Sequence, residues 1–139
     1  MSRIYWDTML FIYLLEDNEQ YASRVESIYN RMQARGDALF TSFLSLGELL
    51  AGARRLSQRE KELRDDFAAM KVQLLPFDGG AVETFASLRA VQKLATADSI
   101  HLACAASRGV DLFLTGDKRL AKQIVPGIQF VSSIDASPI

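Results

Sequence analysis

Short apolar runs alternate along this chain with longer stretches whose apolar residues recur every three or four positions, and that alternation restricts the folds open to it. Short apolar strands, each followed by a helical pattern, belong in a parallel sheet covered by helices. Arg3–Trp6 reads as a first strand, with the helical run Thr8–Leu15 directly behind it. Glu19–Arg35 reads as an amphipathic helix, with Tyr21, Val25, Ile28, Tyr29 and Met32 on one face. Gly36 ends it, and Asp37 opens the turn into a second strand, Ala38–Thr41. Ser42 is placed to cap a helix over Phe43–Arg55, a charged helix spans about Gln58–Lys71, and Val72–Leu75 makes a third strand closed by Pro76. Asp78 can cap a helix running to Lys93, and Thr96 another over Ala97–Ser107. Leu112–Leu114 reads as a fourth strand, a short helix begins near Asp117, and Ile128–Val131 supplies a fifth strand after Pro126-Gly127. The expected architecture is a three-layer α/β/α sandwich around a parallel sheet of about five strands.

A chain of 139 residues suits one domain and leaves little room for a second. Sixteen basic residues against seventeen acids give a formal charge of −1, so any attraction to nucleic acid must come from a local patch. The single cysteine, Cys104, rules out an internal disulfide framework, suits a reducing compartment and is expected in a helix core. The apolar run Met9–Leu15 is too short to span a bilayer and is followed by Glu16, Asp17 and Glu19. It lacks a small-residue cleavage site, so the expectation is a cytoplasmic protein without membrane contact.

Parallel α/β sheets place ligands beyond the carboxyl ends of their strands. Asp7 follows the first strand immediately, and Asp117 follows the fourth across Thr115-Gly116, so both belong to loops on the same sheet edge. Glu48 has only Leu44, Ser45, Ala51 and Gly52 three and four residues away on its helix, with no cation among them. An acid on such a face calls for a partner or a metal. Asp98 opens a helix that is apolar from Ile100 to Ala106 except for His101, which places the acid in a crevice at the helix start. Taken alone, Asp98 could simply interact with the positive helix N-terminus. Four such acids together point to one shared site. Crowded carboxylates repel unless a cation neutralises them, and Mg²⁺ takes oxygen ligands, keeping waters and substrate phosphates in its shell. His101 is the only histidine, so a His/Cys zinc set is absent, and nothing marks a nucleophile elbow.

Four blocks carry a resemblance: Asp7-Thr8 with the apolar run to Leu15-Glu16; Ser45–Glu48; Ala97-Asp98-Ser99-Ile100-His101-Leu102-Ala103; and Leu114-Thr115-Gly116-Asp117-Lys118-Arg119-Leu120. In this order and spacing they resemble the motifs of PIN domains, and more narrowly VapC toxins of bacterial and archaeal toxin–antitoxin pairs, from near residue 3 to near residue 131. The resemblance implies a Mg²⁺-dependent endoribonuclease, with Mn²⁺ as a substitute, that cuts single-stranded or looped RNA. It implies that Asp7, Glu48 and Asp98 are the core acids, that Asp117 holds metal through water, and that Thr115 orients a metal-bound water or an acid. It further implies a homodimer and a cognate antitoxin that lies across the active-site groove and binds DNA at its own promoter. Gly116 stands where Asn is frequent, and Ser99 where Ala is frequent. Neither change removes an acid, although Gly116 is expected to loosen the loop carrying Asp117.

Arg54, Arg55, Arg59, Lys61 and Arg64 cluster after Glu48, and Lys118, Arg119 and Lys122 follow Asp117. Interleaved acids (Glu60, Glu62, Asp65, Asp66) make most of the first group a solvated helix face. Arg54, Arg55 and Lys118 are the candidates for contact with RNA or antitoxin. His101 is expected as a satisfied core residue, and Tyr5 and Trp6 as core packing. The rival to a nuclease is a non-catalytic module that binds RNA or protein on the same scaffold.

Overall fold

The computed structural model describes residues 1–55 and 59–139. Among these, β1 (Arg3–Trp6), β2 (Ala38–Ser42), β3 (Gln73–Leu75), β4 (Leu112–Thr115) and β5 (Phe130–Ser133) form an all-parallel sheet in the order β3-β2-β1-β4-β5. Side chains alternate across it, as the pleat requires. Ile4 and Trp6 of β1, with Leu39, Leu112 and Leu114, face a layer built from α1 (Thr8–Leu15), α2 (Ala22–Arg35), α3 (Phe43–Arg54) and α4 (Arg59–Ala69). Tyr5, Phe40, Leu75 and Phe113 face the opposite layer, α5 (Gly79–Ala90) and α6 (Thr96–Ser107). The three-layer α/β/α sandwich expected from the pattern is the observed fold. Tyr5 and Trp6 are fully buried, and Cys104 lies in the α6 core, where burial pushes its thiol up to about 11.

The strand order decides where a ligand can sit. The chain moves outward from β1 through β2 to β3, then returns on the other side of β1 to form β4 and β5. The direction of winding therefore reverses between β1 and β4, and a crevice opens beyond their carboxyl ends.

Several boundaries move for physical reasons. The Asn18 side chain accepts the backbone N–H groups of Gln20 and Tyr21 at 3.0 Å each, so α2 starts at Ala22, not Glu19. The third strand starts at Gln73, and α5 ends at Ala90, short of Lys93. Asp78 caps α5 as expected, accepting Gly80 N–H at 3.0 Å. Thr96 does not cap α6: Ala95 occupies the N-cap position without a side-chain bond, and Thr96 is already helical. The expected start of the charged helix at Gln58 lies outside the described residues, and its end retreats to Ala69 before Lys71, which adopts φ 55°. The turn after Asp117 becomes a 3-10 helix only at Leu120–Lys122. Ile128 is a buried anchor of the Pro126-Gly127 turn, its N–H bonded to Val125 O, so β5 begins at Phe130.

That turn depends on Gly127, which has φ 97° and packs so tightly that an added Cβ would lie 2.8 Å from the Ala106 carbonyl oxygen. Backbone cannot yield as a flexible side chain does. Gly127→Ala should destabilise the fold by about 2 kcal/mol or more, seen as a lower midpoint in urea at an unchanged slope; an unaltered midpoint would contradict this placement.

Candidate metal centre

Asp7 continues the β1–β4 pairing by donating its backbone N–H to Leu114 O at 3.1 Å, then turns the chain as the N-cap of α1. Its Oδ1 accepts Met9 N–H at 3.1 Å, and its Oδ2 accepts the Thr115 hydroxyl at 2.5 Å. The residue is only 5% exposed. Burial pushes its carboxyl up to about 6, while the Thr115 bond, nearby His101 and the Met9 N–H pull the other way. An ionised group in this position lacks the solvation that a cation would restore.

The Thr115 hydroxyl ties two acids together. While donating to Asp7, its oxygen accepts Asp117 N–H at 3.0 Å. Asp117 Oδ1 in turn accepts Arg119 N–H at 2.8 Å and Leu120 N–H at 3.4 Å. The loop expected to be loosened by Gly116 is thus held by a run of hydrogen bonds. Gly116 has a different reason: a Cβ there would lie 2.8 Å from Met9 Cε and 3.1 Å from Met9 Cβ, so glycine lets the β4 loop pass close to α1.

Asp98, in the first turn of α6, lines a pocket of about 290 Å³ together with Asp117. Burial raises its pKa, and the negative charges of Asp117 and, more weakly, Glu48 add to that, against His101 and Arg119. Each of these acids therefore lies within electrostatic reach of Asp98.

Glu48 has the partner that its own helix could not provide. His101 Nε2, from α6, lies 3.3 Å from Glu48 Oε1, and the Thr8 hydroxyl donates to the same oxygen at 2.8 Å. Tyr5 Oη lies 2.7 Å from His101 Nδ1. Burial raises the Tyr5 pKa, so the phenol keeps its proton. An ionised Glu48 oxygen can only accept, so Nε2 carries the proton between it and His101. The His101 hydrogen bond is the largest influence on Glu48 and lowers its pKa, against partial burial. Beneath lie Ser45 and Thr41, with Thr41 Oγ1 donating to Trp6 O at 2.8 Å and standing 2.7 Å from Ser45 Oγ. The expectation of a satisfied core histidine holds for His101. Sequence reasoning gave Thr8, Ser45 and Tyr5 no role at this site. A signal existed for Tyr5: strand alternation turns it away from Ile4 and Trp6, toward the helix that carries the only histidine.

The basic candidates stand apart. Arg54, expected as a candidate contact, is exposed and paired with Glu60 at 3.2 Å. Arg55 is exposed just past α3, and Lys118 pairs with Asp135 at 3.5 Å.

The donor set fits Mg²⁺ chemically, being carboxylate and hydroxyl oxygens around a desolvated Asp7. Among the described residues no three His, Cys, Asp or Glu stand close enough to hold a metal ion together.

A model of the PIN domain matches residues 4–124, and the chain belongs to the PIN-domain family. The structure is similar to a toxin–antitoxin complex from Klebsiella pneumoniae (TM-score 0.68, 20% identity, covering 90% of this chain and 94% of that one). It is also similar to VapBC2 from Rickettsia felis bound to a DNA fragment from its promoter (0.70, 16%, 94% and 98%). FitAcB from Neisseria gonorrhoeae is a third such structure (0.64, 21%, 84% and 89%). Among curated proteins no match is found.

The raised pKa of Asp7 has a consequence for stability. Between the ordinary carboxylate value of 3.8 and about 6, the folded protein binds the Asp7 proton more tightly than the unfolded chain does. The stability this gives is complete below about pH 4 and is lost as pH rises through 6. In EDTA, Asp7→Asn should therefore flatten the fall in melting temperature over that range. It should also melt above wild type at pH 7.5, the full effect being of order 3 kcal/mol. A variant that melts lower at every pH would contradict this.

Proposed function

We propose that this PIN-domain protein is a Mg²⁺-dependent endoribonuclease of the VapC kind, cutting RNA beyond the carboxyl ends of β1 and β4 with Asp7, Glu48, Asp98 and Asp117 as its acids. The observation that carries the reading is the Asp7 carboxylate, buried where the winding reverses between β1 and β4 and tied through the Thr115 hydroxyl to Asp117, whose charge reaches Asp98. Asp7 and Asp98 would bind the cation directly, and Asp117 through water. Bound Mg²⁺, or Mn²⁺ in its place, supplies an acidified water for attack on the phosphodiester and neutralises the leaving oxygen.

The chain's own residues prepare that site. Thr115 fixes the Asp7 carboxylate and, through Asp117 N–H, the loop behind it. Thr8 and His101 hold Glu48 Oε1 from two sides and keep the carboxylate ionised, so that it can orient water and accept a proton from it. Arg54, Arg55 and Lys118 are proposed contacts to RNA or to an antitoxin. Arg54 and Lys118 would exchange their present carboxylate partners for phosphates or for an acidic peptide.

One of the similar structures is described as a toxin–antitoxin complex, and another, VapBC2, as bound to a DNA fragment from its promoter. By that likeness we assign this protein an inhibiting antitoxin, and the resemblance of its motifs to VapC toxins adds a homodimeric state and a cytoplasmic setting. Among the described residues no helix is long and apolar enough to cross a membrane.

Asp7→Asn and Asp98→Asn should each reduce Mg²⁺-dependent cleavage of RNA at least about a hundredfold, with circular dichroism unchanged. Mg²⁺ should raise the melting temperature of wild type and have little effect on either variant. Full Mg²⁺-dependent activity in both variants would reject the proposal, and RNA binding without cleavage under any divalent metal would favour a binding module.

A further inference from the structure

The pocket that holds Asp98 and Asp117 has walls that a metal site does not require. The loop between α5 and α6 contributes Lys93 and Leu94, and the segment after β4 contributes Arg119 and Gln123. Its volume of about 290 Å³ lies at the small end of ligand sites, which begin near roughly 300 Å³. A pocket of that size holds one nucleoside-sized group and not a folded partner.

We propose that this pocket seats one nucleotide of single-stranded RNA beside the scissile phosphate, with Lys93 and Arg119 on its phosphate and the Gln123 amide, held by Gln92 behind it, on its base. The inference rests on the nuclease reading only in placing cleavage at the neighbouring acids.

Charge supports the assignment. A phosphate approaching Asp98 and Asp117 meets two negative groups and needs cations in the same wall. Lys93 is exposed there. Arg119 Nε is 3.7 Å from Asp117 Oδ1, but its side chain is 93% exposed, so it is held loosely enough to turn to a phosphate.

The amides supply the reading groups. Half-buried Gln92 donates from Nε2 to Gln123 Oε1 at 2.8 Å, bridging the two walls. That bond fixes the Gln123 amide by its oxygen and leaves its NH₂ group in the pocket wall as a donor to a base edge. Among the described residues no aromatic side chain lines the pocket, so recognition there depends on the edge of the base and on contact with Leu94, not on stacking.

Backbone geometry provides a clean variant. Lys93 has φ 57° and follows the end of α5, where Leu94 N–H bonds back to Leu88 O at 3.1 Å. Glycine is the residue best suited to that conformation, so Lys93→Gly removes the cation without harming the fold.

In an Asp7→Asn background, which is expected to bind RNA without cutting it, Lys93→Gly should weaken binding of a short fluorescein-labelled single-stranded RNA about fivefold. The slope of log Kd against log salt should fall by roughly 0.7, and the melting temperature should be unchanged or higher. In protein otherwise wild type, Gln123→Ala should still cleave a mixed-sequence RNA pool with Mg²⁺ but lose base preference at one position beside the cut. Unchanged affinity and salt slope in the first variant, with an unchanged cut pattern in the second, would overturn the subsite. RNA bound through Lys93 but never cut by the wild type would uphold the subsite and reject the nuclease reading.

Discussion

A carboxylate buried at the end of the central strand is the constraint on which the rest of this structure depends. Asp7 has to serve as the cap of α1, as partner of Thr115 and as an ion at neutral pH, while only 5% exposed. The first two duties are met by hydrogen bonds within the protein. The third is not, because burial outweighs those bonds and raises the carboxyl to about 6. The fold thus holds an acid whose ionised form is stabilised best by a cation, at the point where a parallel sheet of this strand order opens to ligands.

The surrounding acids are held by different means, and this separates their roles. Asp117 is tied through the Thr115 hydroxyl and its own turn, so its position follows that of Asp7. Glu48 is set by the meeting of two helices from opposite layers, α3 and α6, beyond the strand ends. The Tyr5–His101–Glu48 chain crosses from the core of one layer to the rim of the other, satisfying a buried histidine and orienting a half-exposed carboxylate with the same proton. Loss of Tyr5 would therefore be felt at Glu48 although the two do not touch.

What the sequence discloses about this site is what depends on order along the chain. Asp7 and Asp117 are readable because each directly follows a strand, and strand ends in a parallel sheet share an edge. The layers are readable because apolar spacing differs between Arg3–Trp6 and Val25–Met32. The partner of Glu48 is not, because helical spacing reports neighbours on one helix and His101 comes from another. Gly116 likewise reads as a soft spot, whereas its cause is the approach of Met9 from α1, a tertiary contact. Ile128 reads as a strand residue because a mostly apolar run follows Pro126-Gly127, yet it is a buried anchor that closes the turn and leaves β5 to begin at Phe130.

The most direct test of a shared metal site is a crystal of the protein grown with Mn²⁺ and examined by anomalous scattering. A peak bonded to carboxylate oxygens of Asp7 and Asp98 at about 2.1 Å, with waters completing its shell, is the predicted result. A map with no peak beside Asp7, or with Mn²⁺ bound only elsewhere on the surface, would contradict the account.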